Sequence, residues 1–502
     1  MLELAFAPDR RSPEPVYRQL EQYLRGLLRA RRLAPGERLP ASRELARSLR
    51  LSRNTVNQAY QALVDEGLLR AHVGQGTFVV GRAEGPNLRA APPAPPRALA
   101  WEGLLARRAR ATATPRGFFA FAGPRRIEFD CAPGRVDVSL FPLAAWKRAS
   151  ARALRRLPAL AEATDPRGYA PLREAIARGL LARGITCDPD EVAIVNGAQQ
   201  ALDLVARALV DPGDAVAIEQ PGWIGAALAF RASEAHLVGV GVDAEGLLTD
   251  ELARIVRARR VKLLFTTPAV QSPTGVVLSQ ERRRELLALA DEYQLPIVED
   301  DYDSEMRYGA PAPALKTLDR AGQVIYVGTF SKALLPGLRA GYLVVPRTLA
   351  PRLALLRYAA DNYTSTLIQA ALADLLESGA FERHVRRVRA LYAERRDALC
   401  RALAEQMPEG VRFTPPAGGN TIWLELPREA DVAAVHAGVA QRGIALHTGA
   451  PFAFEGSEAA PAADRHLVIS FANLDASRVD ACVARLSDAV RRALPARRRR
   501  TG

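Results

Sequence analysis

Any amine chemistry in this chain of 502 residues has few lysines to choose from. Lys147, Lys262, Lys316 and Lys332 are the only four; the rest of its 69 basic residues are arginine. Lys332 lies in GTFSKALLPGLRAGYLVV, residues 328 to 345, just after a strand-like apolar run and seven positions before Arg339. A buried amine that sheds its proton can form a Schiff base with an aldehyde. Thr329 and Ser331 add hydroxyls, and Arg339 adds a planar fork able to bind two phosphate oxygens. The plainer alternative is a surface lysine beside a turn. The apolar flanks and the rarity of lysine weigh against it.

Four further segments carry candidate groups. In EVAIVNGAQQALDLVARAL a strand ends at Asn196-Gly197 and a helix begins at once. The free amides at Ala198 and Gln199 suit a phosphate, although such a junction is also an ordinary tight turn. In PIVEDDYDSEMRY an acidic cluster follows an apolar strand, where α/β sheets bind ligands. There Asp300 can pair with a pyridinium nitrogen, which makes the ring a better electron sink, and Tyr302 can meet a phenolic oxygen. A solvated acidic loop is the alternative. In EQPGWIGAALAF, Trp223 can stack on a flat ring or simply fill core. TTPAVQSPTG places Ser272 in a turn after another strand.

Positioning these groups requires a sheet. From about residue 116 onward, apolar runs (EVAIV, AVAIE, VKLLFTT, PIVED, QVIYVGT) alternate with amphipathic helices, which predicts a mostly parallel sheet wrapped by helices over 116–495. Upstream, residues 82–115 include the proline cluster APPAPP and read as an extended linker. The four cysteines, Cys131, Cys187, Cys400 and Cys482, form no C-x-x-C pair and read as free thiols of a reducing, cytoplasmic compartment, with no metal site. No apolar run is long enough to span a membrane, and the N-terminus lacks the apolar core of a signal peptide. A net charge of +14 points to a polyanionic partner, although a basic solvated surface would give the same balance.

Residues 12–81 have a different rhythm. Val16, Leu20, Leu24, Leu27 and Leu28 share one face of a helix over about 13–31. A second short helix follows around Arg43–Leu49. Ser52 is placed to cap a third, whose inner face is Val56, Tyr60 and Leu63. LLRAHVGQGTFVV then reads as a two-stranded wing. Helix, turn, helix and wing make a DNA-binding arrangement, and the third helix enters the major groove. Arg53, Asn54, Thr55 and Asn57 can meet bases and phosphates, Arg43 can hold phosphate or base, and Gly74 and Gly76 allow the wing tip close approach. Eleven arginines stand against six carboxylates here, the sign that DNA requires.

RLPASRELARSLRLSRNTVNQAYQALVDEGLLRAHVGQGTFV resembles the winged helix of the GntR superfamily. GYAPLREAIA, NGAQQAL, EQPGW, QSPTG, EDDYDSE, TFSK and PGLRAGY, in that order, resemble the fold-type I aminotransferases. Their fusion resembles the MocR/GabR-type regulators. The resemblance implies a multi-domain chain: an N-terminal winged helix-turn-helix and a C-terminal α/β, fold-type I, pyridoxal 5'-phosphate-dependent aminotransferase-like domain. It implies that Lys332 carries the cofactor, Asp300 meets its ring nitrogen and Tyr302 its phenolic oxygen. Thr329, Ser331, Arg339 and the Gly197 loop hold its phosphate, and Tyr169 reaches the phosphate of a neighbouring subunit in a homodimer. It implies a double-stranded operator as partner and an amine, an amino acid or pyridoxal phosphate itself as effector. An active aminotransferase with an accessory DNA-binding domain is the competing function. Two positions depart from the enzymes: Ser272 replaces the usual asparagine, and Val468, in HLVISFANL, stands where an arginine usually binds the substrate carboxylate. Arg465 is close in sequence to that position.

Overall fold

The computed structural model describes residues 6–9, 12, 14–30, 32–72, 76–80, 101–111, 127–309, 312–454 and 464–495. Contacts divide the chain into two units, Met1–Ala100 and Trp101–Gly502.

The first unit contains helix α1 (Val16–Arg29), strand β1 (Arg38–Leu39), α2 (Ser42–Ser48), α3 (Arg53–Asp65), β2 (Leu69–His72) and β3 (Gly76–Val79). Helix α1 is shorter than its apolar spacing suggested, because Pro15 occupies its N-cap and the chain turns at Ala30. Ser52 caps α3 as expected, accepting from the Thr55 amide at 3.0 Å. Leu20, Leu24, Leu45, Val56, Leu63 and Leu69 form one dry core. Strand β1 was not foreseen; two residues are too few to show a period. It joins β3 and β2 in a three-stranded sheet.

The second unit opens with α4 (Trp101–Leu104), α5 (Arg107–Ala111), β4 (Phe129–Asp130), α6 (Leu143–Arg155), α7 (Leu157–Glu162) and α8 (Ala170–Leu181). Helices α4 and α5 fall inside the interval read as linker, and Arg107 pairs with Glu234 of this unit. The remainder of that interval lies outside the described residues. Next come β5 (Val192–Val195), α9 (Ala198–Leu209), β6 (Ala215–Gln220), α10 (Ile224–Ala232), β7 (His236–Asp243), β8 (Gly246–Leu247) and α11 (Thr249–Ala258). They are followed by β9 (Leu263–Thr266), α12 (Gln280–Tyr293), β10 (Ile297–Asp301), α13 (Leu315–Leu318), β11 (Val324–Thr329) and β12 (Gly341–Val344). Helices α14 (Ala350–Asp361), α15 (Thr366–Glu377) and α16 (Ala380–Gln406) lead to a smaller C-terminal part. That part holds β13 (Arg412–Phe413), β14 (Thr421–Glu425), α17 (Val432–Gln441), β15 (Ile444–Ala445), β16 (His447–Thr448), β17 (His466–Ser470) and α18 (Val479–Arg492).

The large sheet has the order β5-β12-β11-β10-β9-β6-β7-β8. Its neighbours are parallel except at β12, which runs against both β11 and β5, and at β8. The central strands are buried throughout because helices cover both faces, which is why their sequences read as unbroken apolar runs. Leu202, Val205, Phe230, Phe265 and Leu353 fill one face, under α9, α10 and α14. Leu172, Phe330, Leu372, Val385 and Tyr392 fill the other, under α8, α15 and α16.

Register gathers the candidate groups. Thr329 pairs with Gly341, and Gly341 with Val195, so the ends of β11 and β5 and the start of β12 share one edge. Asp300 pairs with Val327 near the same edge. Open α/β sheets bind ligands at this carboxyl edge.

Candidate active site and DNA-binding surface

Lys332 follows β11 on the turn back toward β12. The residue is half-buried, and loss of solvent around its amine lowers the ammonium pKa, opposed by Asp303 and Asp300. The amine sits 6.0 Å from the Tyr302 ring centroid. It is also 4.0 Å from where a Cβ on Gly134 would fall, so the 132–135 turn closes over it.

Asp300 is 3% exposed, and its Oδ1 has no hydrogen-bond partner. Burial, with Asp301 alongside, pushes its carboxyl up to about 8 against the pull of Lys332. A buried acceptor without a donor is costly unless something supplies one. Burial raises the Tyr302 phenol well above its ordinary range, with Asp303 adding to the effect and a hydrogen bond with Ser272 opposing it. Ser272 is itself buried, and its amide donates to the Thr267 hydroxyl at 3.1 Å.

A phosphate-sized cradle lies where α9 begins. Gly197 has φ +80° and ψ 169°, a conformation only glycine adopts readily. A Cβ there would fall 3.0 Å from the Arg339 guanidinium, whose Nη2 donates to the Asn196 carbonyl at 2.6 Å. The Ala198 and Gln199 amides lie in the first turn of α9, where a helix has no carbonyl for them. The Gln199 side chain is committed elsewhere, donating to the Gly225 carbonyl at 2.7 Å. Ser331 N donates to the Thr329 hydroxyl at 3.2 Å, which shapes the turn facing the cradle.

Trp223 is half-buried at the N-cap of α10, against the apolar core of that face. Tyr169 caps α8, its amide donating to Gln369 Oε1 at 2.7 Å. Among the described residues no hydrogen bond or ring contact joins Tyr169 to Lys332 or Asp300.

Two groups escaped the sequence reading. Asp303 is 3% exposed with an unpartnered Oδ1, and burial pushes it to about 7 against the opposing charge of Lys332. It sat within the acidic cluster, but only the fold shows that its side chain faces the amine. Glu219 is buried and accepts from Thr266, Thr267 and Gln271, fixing the loop that carries Ser272. At the departure positions, Val468 is 1% exposed in β17, between Trp423 and His447. Arg465 pairs with Glu425 at 2.9 Å and is engaged there.

In the first unit, Arg43, Arg53, Asn54 and Asn57 are exposed on α2 and α3. Thr55 is partly spent on the cap, its hydroxyl lying 2.8 Å from that of Ser52. Gly74 lies outside the described residues. Gly76 has a reason internal to the fold: a Cβ there would come within 2.8 Å of the Arg38 side chain, and its φ is +115°.

Residues 16–79 match the family of bacterial regulatory proteins named gntR, and residues 135–486 match aminotransferase class I and II. The chain is 39% identical over 410 residues to the probable rhizopine catabolism regulatory protein MocR of Rhizobium meliloti, covering 78% of each. It is 32% identical over 470 residues to the HTH-type transcriptional regulator TauR of Rhodobacter capsulatus, covering 92% of this chain and 93% of that one. The α-aminoadipate aminotransferase LysN of Thermus thermophilus, solved with N-(5'-phosphopyridoxyl)-L-leucine, superposes with a TM-score of 0.72 at 32% identity, over 79% of this chain and 99% of that one. A gntR winged helix followed by a class I and II aminotransferase fold, in a chain that two regulators match at 39% and 32% identity over 78% and 92% of its length, places this chain in the MocR-type family of HTH transcriptional regulators.

Proposed function

We propose that this protein is a cytoplasmic, homodimeric transcription regulator that holds pyridoxal 5'-phosphate at Lys332 and changes its grip on operator DNA when a small amine or amino acid, or the cofactor itself, occupies that site. The observation that carries the cofactor assignment is the buried Asp300 oxygen left without a donor near Lys332. A protonated pyridine nitrogen is the donor that such an acceptor fits. When bound, the cofactor supplies an aldehyde that condenses with amines and a ring that accepts electrons.

The protein's own groups have separate tasks. Lys332, already biased toward its neutral form, holds the aldehyde and is the amine that an effector must compete with. Tyr302, braced by Ser272, meets the phenolic oxygen. The Gly197 loop, through the Ala198 and Gln199 amides, takes the phosphate together with Thr329, Ser331 and Arg339, and Trp223 stacks on the ring. Tyr169 completes the phosphate site of the second subunit. The exposed Leu143, Leu154, Leu157, Leu355 and Tyr358 on α6, α7 and α14 favour such a dimer. Arg43, Arg53, Asn54, Thr55 and Asn57 meet the operator from a winged helix at 12–81, joined through 82–115 to a sensing domain at 116–495.

Buried Val468 favours sensing over turnover, because a valine cannot clamp a substrate carboxylate. The test is borohydride reduction of the purified protein followed by peptide mapping. Reduction is expected to tag Lys332. A tag on Lys147, Lys262 or Lys316, or none, overturns the assignment.

A further inference from the structure

On the face of the large sheet covered by α8 and α16 lies a cavity of about 310 Å³ that the cofactor site does not use. Its walls are apolar: Ile176 and Leu180 from α8, Phe330 from the end of β11, and Phe381 from α16. The aromatic wall is fixed by packing, with Phe330 edge-on to Phe381 at 5.7 Å between ring centroids and tilted on Tyr342 at 5.8 Å. Volumes of this order are at the small end of organic-ligand sites, about 300–1,000 Å³.

The charges at the cavity are unevenly committed. Arg183 is occupied by Asp301 and Ser304, and lies 3.6 Å from Glu305. Arg389 uses its Nε on the Glu305 carbonyl at 2.7 Å, which leaves its two terminal nitrogens available. Arg386, one turn earlier on the same helix, is exposed and makes no hydrogen bond or ion pair among the described residues. With Arg183 committed to Asp301 and Glu305, Arg386 and Arg389 stand against Glu382 alone among the remaining charged groups that line the cavity. The excess positive charge sits on α16 beside an apolar recess, and two adjacent guanidinium groups suit a carboxylate.

We propose that this cavity is a second small-molecule site, taking a monocarboxylate with an apolar body of aryl or branched alkyl type. The apolar part fills the recess between α8 and Phe330, and the carboxylate meets Arg386 and Arg389. The site also reaches the cofactor pocket. Phe330 lies two residues before Lys332, and Arg183 holds Asp301, the neighbour of Asp300. A ligand here therefore touches Phe330, just past the end of β11, and meets the end of β10 only through Arg183. This site stands independently of the cofactor assignment.

The experiment is calorimetric titration of the full-length, cofactor-loaded protein with 3-phenylpropionate, which has no amine and cannot compete with Lys332. Two variants accompany wild type. One is the double change Arg386→Ala with Arg389→Ala. The other is Gly179→Leu, which grows into the cavity from α8, where an added Cβ meets nothing within 4 Å. Wild type is expected to bind saturably at millimolar ligand or below. Both variants are expected to lose about tenfold or more in affinity, as removal of a charged anchor or of the space itself requires, while keeping the wild-type visible absorbance and helical circular dichroism. Absence of saturable binding to wild type overturns the proposal, and so does wild-type affinity in either folded variant.

Discussion

Replacing Asp300 by asparagine should move stability and cofactor affinity in opposite directions. The Asp300 carboxyl titrates at about 8 in the folded chain against an ordinary value of 3.8. Between those values the folded state binds the proton that the unfolded state has released. Stability present below pH 4 is therefore lost as pH rises through about 8. At about 1.36 kcal/mol per pH unit the interval sets a ceiling near 6 kcal/mol, of which relaxation and water entry leave a few. Asp300→Asn keeps the shape and removes the titration. In the cofactor-free protein the variant should match wild type near pH 4.5 and exceed it by a few kcal/mol near pH 8.5. Asp303, pushed to about 7, retains its own part of the slope. With the cofactor present the sign reverses, because a charged hydrogen bond worth about 1.5–3 kcal/mol is lost, or roughly tenfold to over a hundredfold in affinity. Urea unfolding followed by tryptophan fluorescence from pH 4.5 to 8.5, with cofactor titrations beside it, measures both. The same pH slope in variant and wild type would refute the burial argument. Unchanged cofactor affinity would refute the pairing.

Arg53→Ala should weaken operator binding by about 1–3 kcal/mol at matched salt without altering cofactor content, read by gel shift and absorbance; equal binding would remove α3 from the interface. Gly197→Ala places a Cβ 3.0 Å from Arg339 at φ +80°, so strain of about 1–3 kcal/mol should open the cradle and lower cofactor affinity while circular dichroism is retained. Ordinary α-amino acids with a keto-acid acceptor should turn over well below the roughly 1 per second of slow enzymes, because Val468 offers no clamp; faster keto-acid formation would show that another group supplies one.

The helices of the winged unit were legible because their apolar residues show a helical period, and β5, β6, β9, β10 and β11 of the large sheet because each is a short apolar run between helical stretches. Ser52 was recognisable as a cap from its place alone, and Lys332 stood out through scarcity. What stayed hidden depends on distant residues. Strand β1 exists only because β3 pairs with it. Asp303 faces Lys332 because the chain turns after β10, and nothing local separates it from the acids around it. Gly76 reads as a ligand-facing glycine until Arg38, far away in sequence, is seen packed against it. Helices α4 and α5, within the interval read as linker, are only four and five residues long, and α5 packs on α10, beyond the reach of a local pattern.

The central claim is that one lysine couples an amine signal to DNA affinity. The direct measurement is fluorescence anisotropy of the protein on DNA from upstream of its own gene, with a panel of amines, in wild type and in Lys332→Ala. An amine that shifts the visible absorbance of wild type should change its DNA affinity by about 5–150-fold, the range of ordinary allosteric coupling. Lys332→Ala should bind the DNA and ignore the amine. An equal response in Lys332→Ala, or an absorbance shift in wild type with no change in DNA affinity, would contradict the account.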